Sequence, residues 1–352
     1  MELYWIWLST IKYVGPVWQK KLLQHFSSPL NIFNATEEEL NEIPKLNTRA
    51  LSSILKSRSL KNSETIYQNS KNKNIKILTF DDPLYPKYAK ECKDSPVVLY
   101  YKGELQKILT GIGVIGSRRC SQYGKKMAQQ IGAELAGLNI PIISGFAKGI
   151  DTYAQTACVK NGGYTISFFA SGVDICYPSE QIVLYHEFLE KGCVFISEYP
   201  PGTPAVPRQF VKRNSLISAW SEALIVVEAG KNSGALWTAN YAMGQGKQTY
   251  AVPNRIDEPN AEGSNKLLEK GSKPYLSIES LHIPQPILEN KTIIQSSPSS
   301  HIDWIHSLTK STYSISQLAT ILSLSEDTIL NQLLSLELDG KVYIRGNQVS
   351  II

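Results

Sequence analysis

The segment Gly113–Asp151 opens with G-V-I-G-S-R-R-C-S-Q-Y-G and closes with I-P-I-I-S-G-F-A-K-G-I-D. The runs Ile112–Ile115 and Ile140–Ile143 are short and rich in β-branched residues, which predicts two buried strands. Tyr123–Leu138 lies between them and carries apolar residues at helical spacing. The two strands of such a strand-helix-strand unit are parallel, so the loops that follow them meet at the carboxyl edge of the sheet, where ligands bind.

Both of these loops combine glycine with a cation. The first loop carries Arg118 after Gly116, and the second carries Lys148 before Gly149. Glycine allows a second backbone or a phosphate group to come close. Asp151 then begins the next helix, where we expect its carboxylate to cap free backbone N–H groups. The pattern therefore predicts an edge of the sheet that binds anions.

Strands and helices alternate from residue 108 to residue 280. Before this region, residues 77–88 predict a strand, a turn and a helix start, and 95–103 predict another strand. The alternation is typical of an α/β fold with a Rossmann-like, doubly wound sheet, which we expect over residues 75–282. Apolar runs within it predict strands at 112–116, 140–144, 165–170, 193–198, 223–229 and 248–253.

The N-terminal region, residues 1–60, has apolar residues at helical spacing around a turn at Gly15-Pro16. It predicts a helical domain of the SAM or helix-hairpin-helix type, for which contact with a DNA backbone or a protein and a plain packing role both stay open. Residues 58–74 are mostly polar. They favour a solvated linker helix over a phosphate-binding segment.

The C-terminal region begins with a linker at residues 283–300, which is rich in proline and serine. Residues 301–352 predict three helices and a β-hairpin, which together make a winged helix. The third helix, Glu326–Leu338, is acidic and suits duplex DNA poorly, because phosphate contacts dominate DNA affinity. A protein-contact or structural role is therefore favoured for this domain.

Composition narrows the class of protein. The chain has 352 residues, of which 42% are hydrophobic and 19% charged, as in a globular protein. The net charge of +5 permits a nucleic-acid partner without requiring one. Five scattered cysteines without a C-x-x-C pair favour a reducing cytoplasm over a disulfide scaffold or a zinc site. We expect no signal peptide, no membrane span, no metal and no cofactor.

Several motifs in fixed order resemble the DprA (Smf) family of DNA-processing proteins, clearly over residues 75–275. The resemblance implies a non-enzymatic protein that binds single-stranded DNA, protects incoming DNA in natural transformation and loads the RecA recombinase. It also implies a homodimer. Besides the two loops, the motifs are F-A-S-G-V-D-I-C-Y-P (169–178), Q-F-V-K-R-N (209–214), V-V-E-A-G-K-N-S-G-A-L (226–236) and Y-A-V-P (250–253).

Cations and aromatic rings are expected together at the carboxyl edge, where cations follow phosphates and rings stack on bases. Phe146 lies in the same loops, as do the cations Arg119 and Lys231. Two alternatives stay open: Arg118 could pair with an acidic residue, and Phe210 could be core. The predicted DNA-binding residues are Gly116, Ser117, Arg118, Ser144, Gly145, Lys148, Gly149, Tyr177, Phe210, Lys212, Arg213, Asn214, Ser233 and Gly234. The predicted positioning residues are Asp151, Asp174 and Glu228.

An enzyme is the alternative class of function. Nucleotide phosphoribohydrolases of a related superfold carry P-G-G-x-G-T-x-x-E at this strand end, where this chain has Ser233–Ala239 instead, without a carboxylate in the first helical turn. The G-x-G-x-x-G match at Gly111–Gly116 falls within a predicted strand, where the dinucleotide fingerprint does not belong. Binding without chemistry is the expected consequence.

Three positions depart from the family pattern. Ser215 stands where these proteins usually have a second arginine, which removes one cation and is expected to lower DNA affinity. Asn254 replaces a glycine, and Trp237 replaces a smaller apolar residue. We expect these two to change local packing.

Overall fold

A computed structural model gives the fold of this chain. By its packing, the chain forms two compact units, Met1–Pro286 and Ile287–Ile352. The linker predicted at 283–300 and the first helix predicted for the C-terminal region lie outside the described residues. The structure describes residues 1–281, 312–322, 324–338 and 342–351.

The larger unit is built on a nine-stranded sheet. Its strands are β1 Lys76–Thr79, β2 Val98–Gly103, β3 Ile112–Ile115, β4 Ile142–Ser144, β5 Thr165–Phe168, β6 Val194–Ser197, β7 Ala223–Val226, β8 Gln248–Ala251 and β9 Lys273–Pro274. Their order is β1-β2-β6-β5-β4-β3-β7-β8-β9. Strands β3 to β9 pair in parallel. β2 is antiparallel to both β1 and β6. The α/β class is confirmed, and the sheet is mixed.

Helices cover both faces of this sheet, and further helices form the N-terminal region of the same unit. They are α1 Glu2–Thr10, α2 Pro16–Phe26, α3 Pro29–Asn34, α4 Glu37–Asn41, α5 Thr48–Lys56, α6 Lys61–Asn72, α7 Lys87–Glu91, α8 Gln122–Gly137, α9 Ile150–Lys160, α10 Ile182–Glu190, α11 Pro207–Trp220, α12 Ala235–Gly244 and α13 Glu262–Glu269. Ile142 and Val114 enter the core on one face, and their neighbours Ile143 and Ile115 enter the core on the other. Central strands buried on both faces explain the continuous apolar runs of the sequence.

The N-terminal helices belong to the same compact unit as the sheet. Helix α1 buries Ile6, Trp7 and Leu8 and contacts α6, β1 and β2. The polar segment 58–74 is helical, as expected, over Lys61–Asn72. A separate N-terminal domain over residues 1–60 stays a prediction. Within the described residues, no helix combines the length and the apolar character that spanning a bilayer would require.

The smaller unit has two described helices and a three-stranded sheet. Its elements are β10 Thr312–Ser314, α14 Ile315–Leu322, α15 Glu326–Leu338, β11 Val342–Arg345 and β12 Gln348–Ile351. The strand order is β10-β12-β11. Leu318, Ile329, Leu333 and Leu336 form the centre of its core. The bounds predicted for the acidic helix are confirmed. Assignment to the winged-helix class stays a prediction.

Candidate nucleic-acid interface

Three loops at the carboxyl edge of β3, β4 and β7 are held together by backbone contacts. The Ser117 amide donates to the Glu228 carbonyl at 2.7 Å, and the Ile150 amide donates to the Ser117 carbonyl at 3.2 Å. Gly149 has φ +86°, and a Cβ on it would lie 2.3 Å from the Ser117 oxygen. Since that approach excludes any other residue type, Gly149 fixes the distance between the two loops. Arg118 is thereby presented from a firmly held backbone.

Glu228 holds the loop that follows β3 through hydrogen bonds to its side chain. Its side chain is fully buried, and its two carboxylate oxygens accept from the Ser121 amide at 2.8 Å and from the Ser121 hydroxyl at 2.5 Å. The sequence left open an ion pair between Arg118 and this carboxylate. No such pair occurs in the described structure, where Arg118 is exposed. These two bonds hold the loop at Ser121, and a positioning role for Glu228 stays a prediction.

Asp151 supports the second loop rather than the helix that it begins. Its Oδ2 accepts from the Gly145 amide at 3.1 Å, and the residue at the helix N-cap is Gly149. The expectation that Asp151 caps the free amides of α9 is therefore wrong, because the buried carboxylate turns back towards the preceding loop. Burial raises the pKa of Asp151, and the charge of Arg213 opposes that shift.

Arg213 is a buried cation and not a surface residue. Its Nη1 donates to the carbonyls of Gly145 at 2.5 Å and Phe168 at 2.7 Å. A Cβ on Gly145 would lie 2.7 Å from the guanidinium carbon. Burial lowers the pKa of Arg213 to about 10, a shift that the Asp151 charge opposes, so the group stays protonated at neutral pH. Arg213 thus adds positive charge to the floor of the site, but its Nη1 is occupied.

The predicted contact residue Ser144 is turned inwards, and so is Phe146, the aromatic residue of the same loop; the contact prediction for Ser144 is wrong. Ser144 is fully buried at the end of β4, and its hydroxyl donates to the Val114 carbonyl at 2.6 Å. Phe146 is fully buried against Phe188 and Phe195. Neither the Ser144 hydroxyl nor the Phe146 ring can reach a ligand at the surface.

The remaining groups surround a groove of about 510 Å³, here called the carboxyl-edge groove. Arg118 lies over the Phe210 ring, with its Cζ 5.6 Å from the ring centroid. The rings of Tyr177 and Phe210 are 5.2 Å apart between centroids. Phe210 is half-buried, so the alternative of a wholly core residue does not hold. The lining residues are Arg118, Arg119, Gly145, Ala147, Lys148, Tyr177, Pro178, Ser179, Glu180, Phe210 and Arg213.

Each predicted lysine of this edge has a carboxylate partner. Lys148 Nζ lies 2.9 Å from Glu180 Oε1, with both side chains half exposed. Lys212 pairs with the nearly buried Glu198. Lys231 Nζ lies 3.8 Å from Glu262 Oε1. In the described part of the chain, Arg118 and Arg119 have no such carboxylate. Sequence reasoning missed Glu180 and Glu198, because each pair joins two different elements, 32 residues apart for Lys148 and Glu180 and 14 residues apart for Lys212 and Glu198.

The other predicted residues lie outside the groove. Asn214 Nδ2 donates to the Gly234 carbonyl at 3.3 Å, and the Ser233 hydroxyl accepts from the Ala235 amide at 3.3 Å. These contacts place them beside the start of α12. Lys212 is exposed on α11. The structure thus divides the predicted residues between the groove, its backbone framework and a separate patch.

Asp174 joins the carboxyl edge to helix α6. Its carboxylate accepts from the Gly202 amide at 2.9 Å and lies 2.5 Å from Lys73 Nζ. Burial alone would raise the pKa of Asp174, but the bonds from Lys73 and Gly202 outweigh it and lower the pKa. Asp174 comes three residues before Tyr177, so this ion pair ties the residue after α6 to the loop that lines the groove.

The fold and the site define a Rossmann-like protein with a cationic, aromatic groove at the carboxyl edge. The chain belongs to the family described as DNA recombination-mediator protein A, whose sequence profile matches residues 76–283. It is 34% identical over 281 residues to protein Smf of Synechocystis sp. The aligned region covers 78% of this chain and 70% of that protein.

Two solved structures have the same fold. That of DNA processing protein A (DprA) from Streptococcus pneumoniae matches with a TM-score of 0.66 and 28% identity, covering 78% of this chain and 94% of that one. That of DNA processing protein A from Helicobacter pylori matches with a TM-score of 0.53 and 29% identity, covering 58% and 93%. The H. pylori structure is described as giving insight into the single-stranded DNA binding mode of that protein.

Proposed function

We propose that this chain binds single-stranded DNA in the carboxyl-edge groove. The observation that carries the proposal is the exposed Arg118 guanidinium over the Phe210 ring, beside Tyr177. Proteins that bind single strands combine cations along the backbone with rings on which bases stack. A guanidinium holds a phosphate by two parallel hydrogen bonds, and the ring beneath it keeps its plane oriented.

The residues of the carboxyl-edge groove have different roles in this proposal. Arg118 and Arg119 contact phosphates, because their charges are exposed and have no carboxylate partner in the described structure. Tyr177, which is 46% exposed, offers a stacking face. Arg213 contributes its buried charge, and the amides of Ser117, Gly145 and Ile150 stay bonded within the framework. Asp151 and Glu228 position the loops and contact no DNA.

We propose binding without catalysis. Both buried carboxylates at this edge hold loop amides, and Glu228 is closed off from solvent, so neither is placed to transfer a proton to a ligand. The competing function is a nucleotide-binding enzyme of the phosphoribohydrolase-like superfold. Release of a free base from nucleoside monophosphates by the purified protein would favour that enzyme.

The family suggests the cellular role. We propose that the protein acts in the cytoplasm, protects incoming single strands during natural transformation and recombination, and loads RecA on them. We further propose a homodimer, since two aligned grooves raise the avidity for one strand through effective concentration. The five cysteines are free, which suits a reducing compartment.

The deciding experiment is a gel shift of the purified protein with single-stranded and double-stranded DNA of matched sequence. We expect shifts at lower protein concentration with the single strand, and a steep loss of affinity as salt is raised. Equal affinity for both forms, or no binding at low salt, would contradict the proposal. Light scattering at micromolar protein tests the homodimer.

A further inference from the structure

A second groove, of about 610 Å³, lies between helices α1, α5 and α6; it is here called the N-terminal groove. Lys12, Lys56 and Lys61 line it, and all three are exposed. Within the described residues, none of the three has a carboxylate within ion-pair distance. This differs from the carboxyl edge, where each predicted lysine has a glutamate partner. The remaining lining residues are Trp7, Thr10, Ile11, Ser53, Ser57, Ser59, Asn62, Ser63 and Thr65.

The start of α6 adds backbone donors to these cations. The Lys61 amide already donates to the Ser59 hydroxyl at 3.4 Å, so the donors that this first turn offers are the amides of Asn62 and Ser63. First-turn amides have no acceptor inside a helix and carry the positive end of its dipole. Together with three lysines, they form a site of the kind that binds phosphate.

One buried hydroxyl in this groove has no partner. Ser63 is 1% exposed and lines the groove, and its Oγ makes no hydrogen bond in the described structure. A buried hydroxyl without a partner is costly, and native proteins keep few of them. A ligand oxygen at this place would satisfy it.

Helix α6 connects the two grooves. Its first residues line the N-terminal groove, and Lys73, directly after its end, pairs with Asp174 in the loop before Tyr177. The helix has 12 residues, so at 1.5 Å per residue it extends about 18 Å from the N-terminal groove to Lys73. Between them, α6 exposes polar residues and Lys71.

We propose that the N-terminal groove binds phosphates of the same DNA strand that occupies the carboxyl-edge groove. The ligand is the nucleic-acid backbone, held by Lys12, Lys56, Lys61 and the Ser63 hydroxyl. The inference rests on the proposed function, because the strand reaches this groove from the first one along α6. A strand too short to span both sites gains nothing from it.

The test compares two full-length variants with the native protein. One is the triple variant Lys12→Ala, Lys56→Ala, Lys61→Ala; the other is Ser63→Ala. The matched control is Lys93→Ala, Lys107→Ala, Lys191→Ala, which removes three exposed lysines that line neither groove and have no described ion pair. Fluorescence anisotropy measures affinity for oligothymidylates of about three and about thirty nucleotides, lengths below and above typical site sizes of roughly 4–16 nucleotides.

We expect the triple variant to bind the long strand roughly tenfold more weakly. Its slope of log affinity against log salt should become shallower by up to about 2, since each single-strand phosphate contact contributes about 0.7. Ser63→Ala should weaken long-strand binding without lowering the melting temperature, because its hydroxyl has no bond to lose. Short-strand affinity should stay native in both variants.

Long-strand affinity at the native level in either variant overturns this inference, as does an equal loss in the control. Native protein that binds neither length contradicts the proposed function itself. Native protein that binds both lengths, with no effect of the variants, contradicts the second groove alone. The affinity for the short strand therefore measures binding in the carboxyl-edge groove. The difference in affinity between the long and the short strand measures binding in the N-terminal groove.

Discussion

The guanidinium of Arg118 lies over the ring of Phe210, 5.6 Å from its centroid, without an acidic partner in the described structure. An arginine held by a ring keeps its hydrogen-bonding edge open, whereas one held by a carboxylate does not. Substitution of Arg118 is therefore the most direct test of DNA binding in the carboxyl-edge groove.

Arg118→Ala should weaken single-stranded DNA binding about equally for all sequences, by about 1–3 kcal/mol, the range for hydrogen bonds to charged groups. The slope of log affinity against log salt should become shallower by about 0.7. Arg118→Lys should restore the slope and part of the affinity. A salt titration and a thermal melt on one preparation measure both effects. A lower melting temperature with an unchanged salt slope would give Arg118 a structural role. The control is Arg49→Ala, because Arg49 is an exposed arginine outside both grooves.

Glu180→Gln should strengthen single-strand binding. The carboxylate lies in the groove 2.9 Å from Lys148 and competes with a phosphate for that lysine. Both side chains are half exposed, so the pair is worth about 1 kcal/mol or less, and we expect a gain of up to about fivefold. Anisotropy at low salt measures it, with Glu190→Gln as a control on an exposed glutamate elsewhere. Weaker binding by Glu180→Gln would mean that the carboxylate orients Lys148 for the ligand.

Arg213→Met should lower the free energy of unfolding strongly. The change leaves the carbonyls of Gly145 and Phe168 without their donor and the buried Asp151 without the nearby charge. Each buried carbonyl that is left without a donor costs on the order of 1–3 kcal/mol. Urea unfolding followed by circular dichroism provides the measurement. A loss below about 1 kcal/mol, the range of an ordinary hydrogen bond, would show that Arg213 is not a structural centre of the edge.

Asp174→Asn should destabilise the fold at neutral pH and much less in acid. The folded-state pKa of Asp174 is lowered below its ordinary value of 3.8, so its stabilisation is present above that value and is lost as pH falls through the folded-state pKa. The difference in melting temperature between native protein and variant should therefore be constant near pH 7 and shrink below about pH 4. A difference that grows on acidification would contradict this assignment.

Removal of the C-terminal unit should leave single-strand binding intact. The groove lies within the unit Met1–Pro286, and helix α15 is acidic. A chain ending at Leu281 should match the full chain in affinity and salt slope. If affinity is lost while the shortened chain melts cooperatively, the C-terminal unit contributes a DNA contact, for which Lys341 and Arg345 are the basic candidates.

Periodicity predicted the elements of this fold well, because buried strands and amphipathic helices leave patterns within a few residues. Examples are β3 at Ile112–Ile115 and the acidic helix at Glu326–Leu338, both found where expected. The direction of single loop side chains could not be predicted. Phe146 has φ +52° and points into the core, and Glu180 meets Lys148 across two loops. Such outcomes depend on contacts between distant segments.

The close packing of Gly145 against Arg213 has a consequence for how such proteins diverge. A methyl group at position 145 would collide with the guanidinium, and a short side chain at position 213 would leave room for one. Neither position 145 nor position 213 can accept a substitution freely while the other position keeps its present residue. In descendants of this chain, the two positions should therefore change together, with the smaller residue always opposite the longer one.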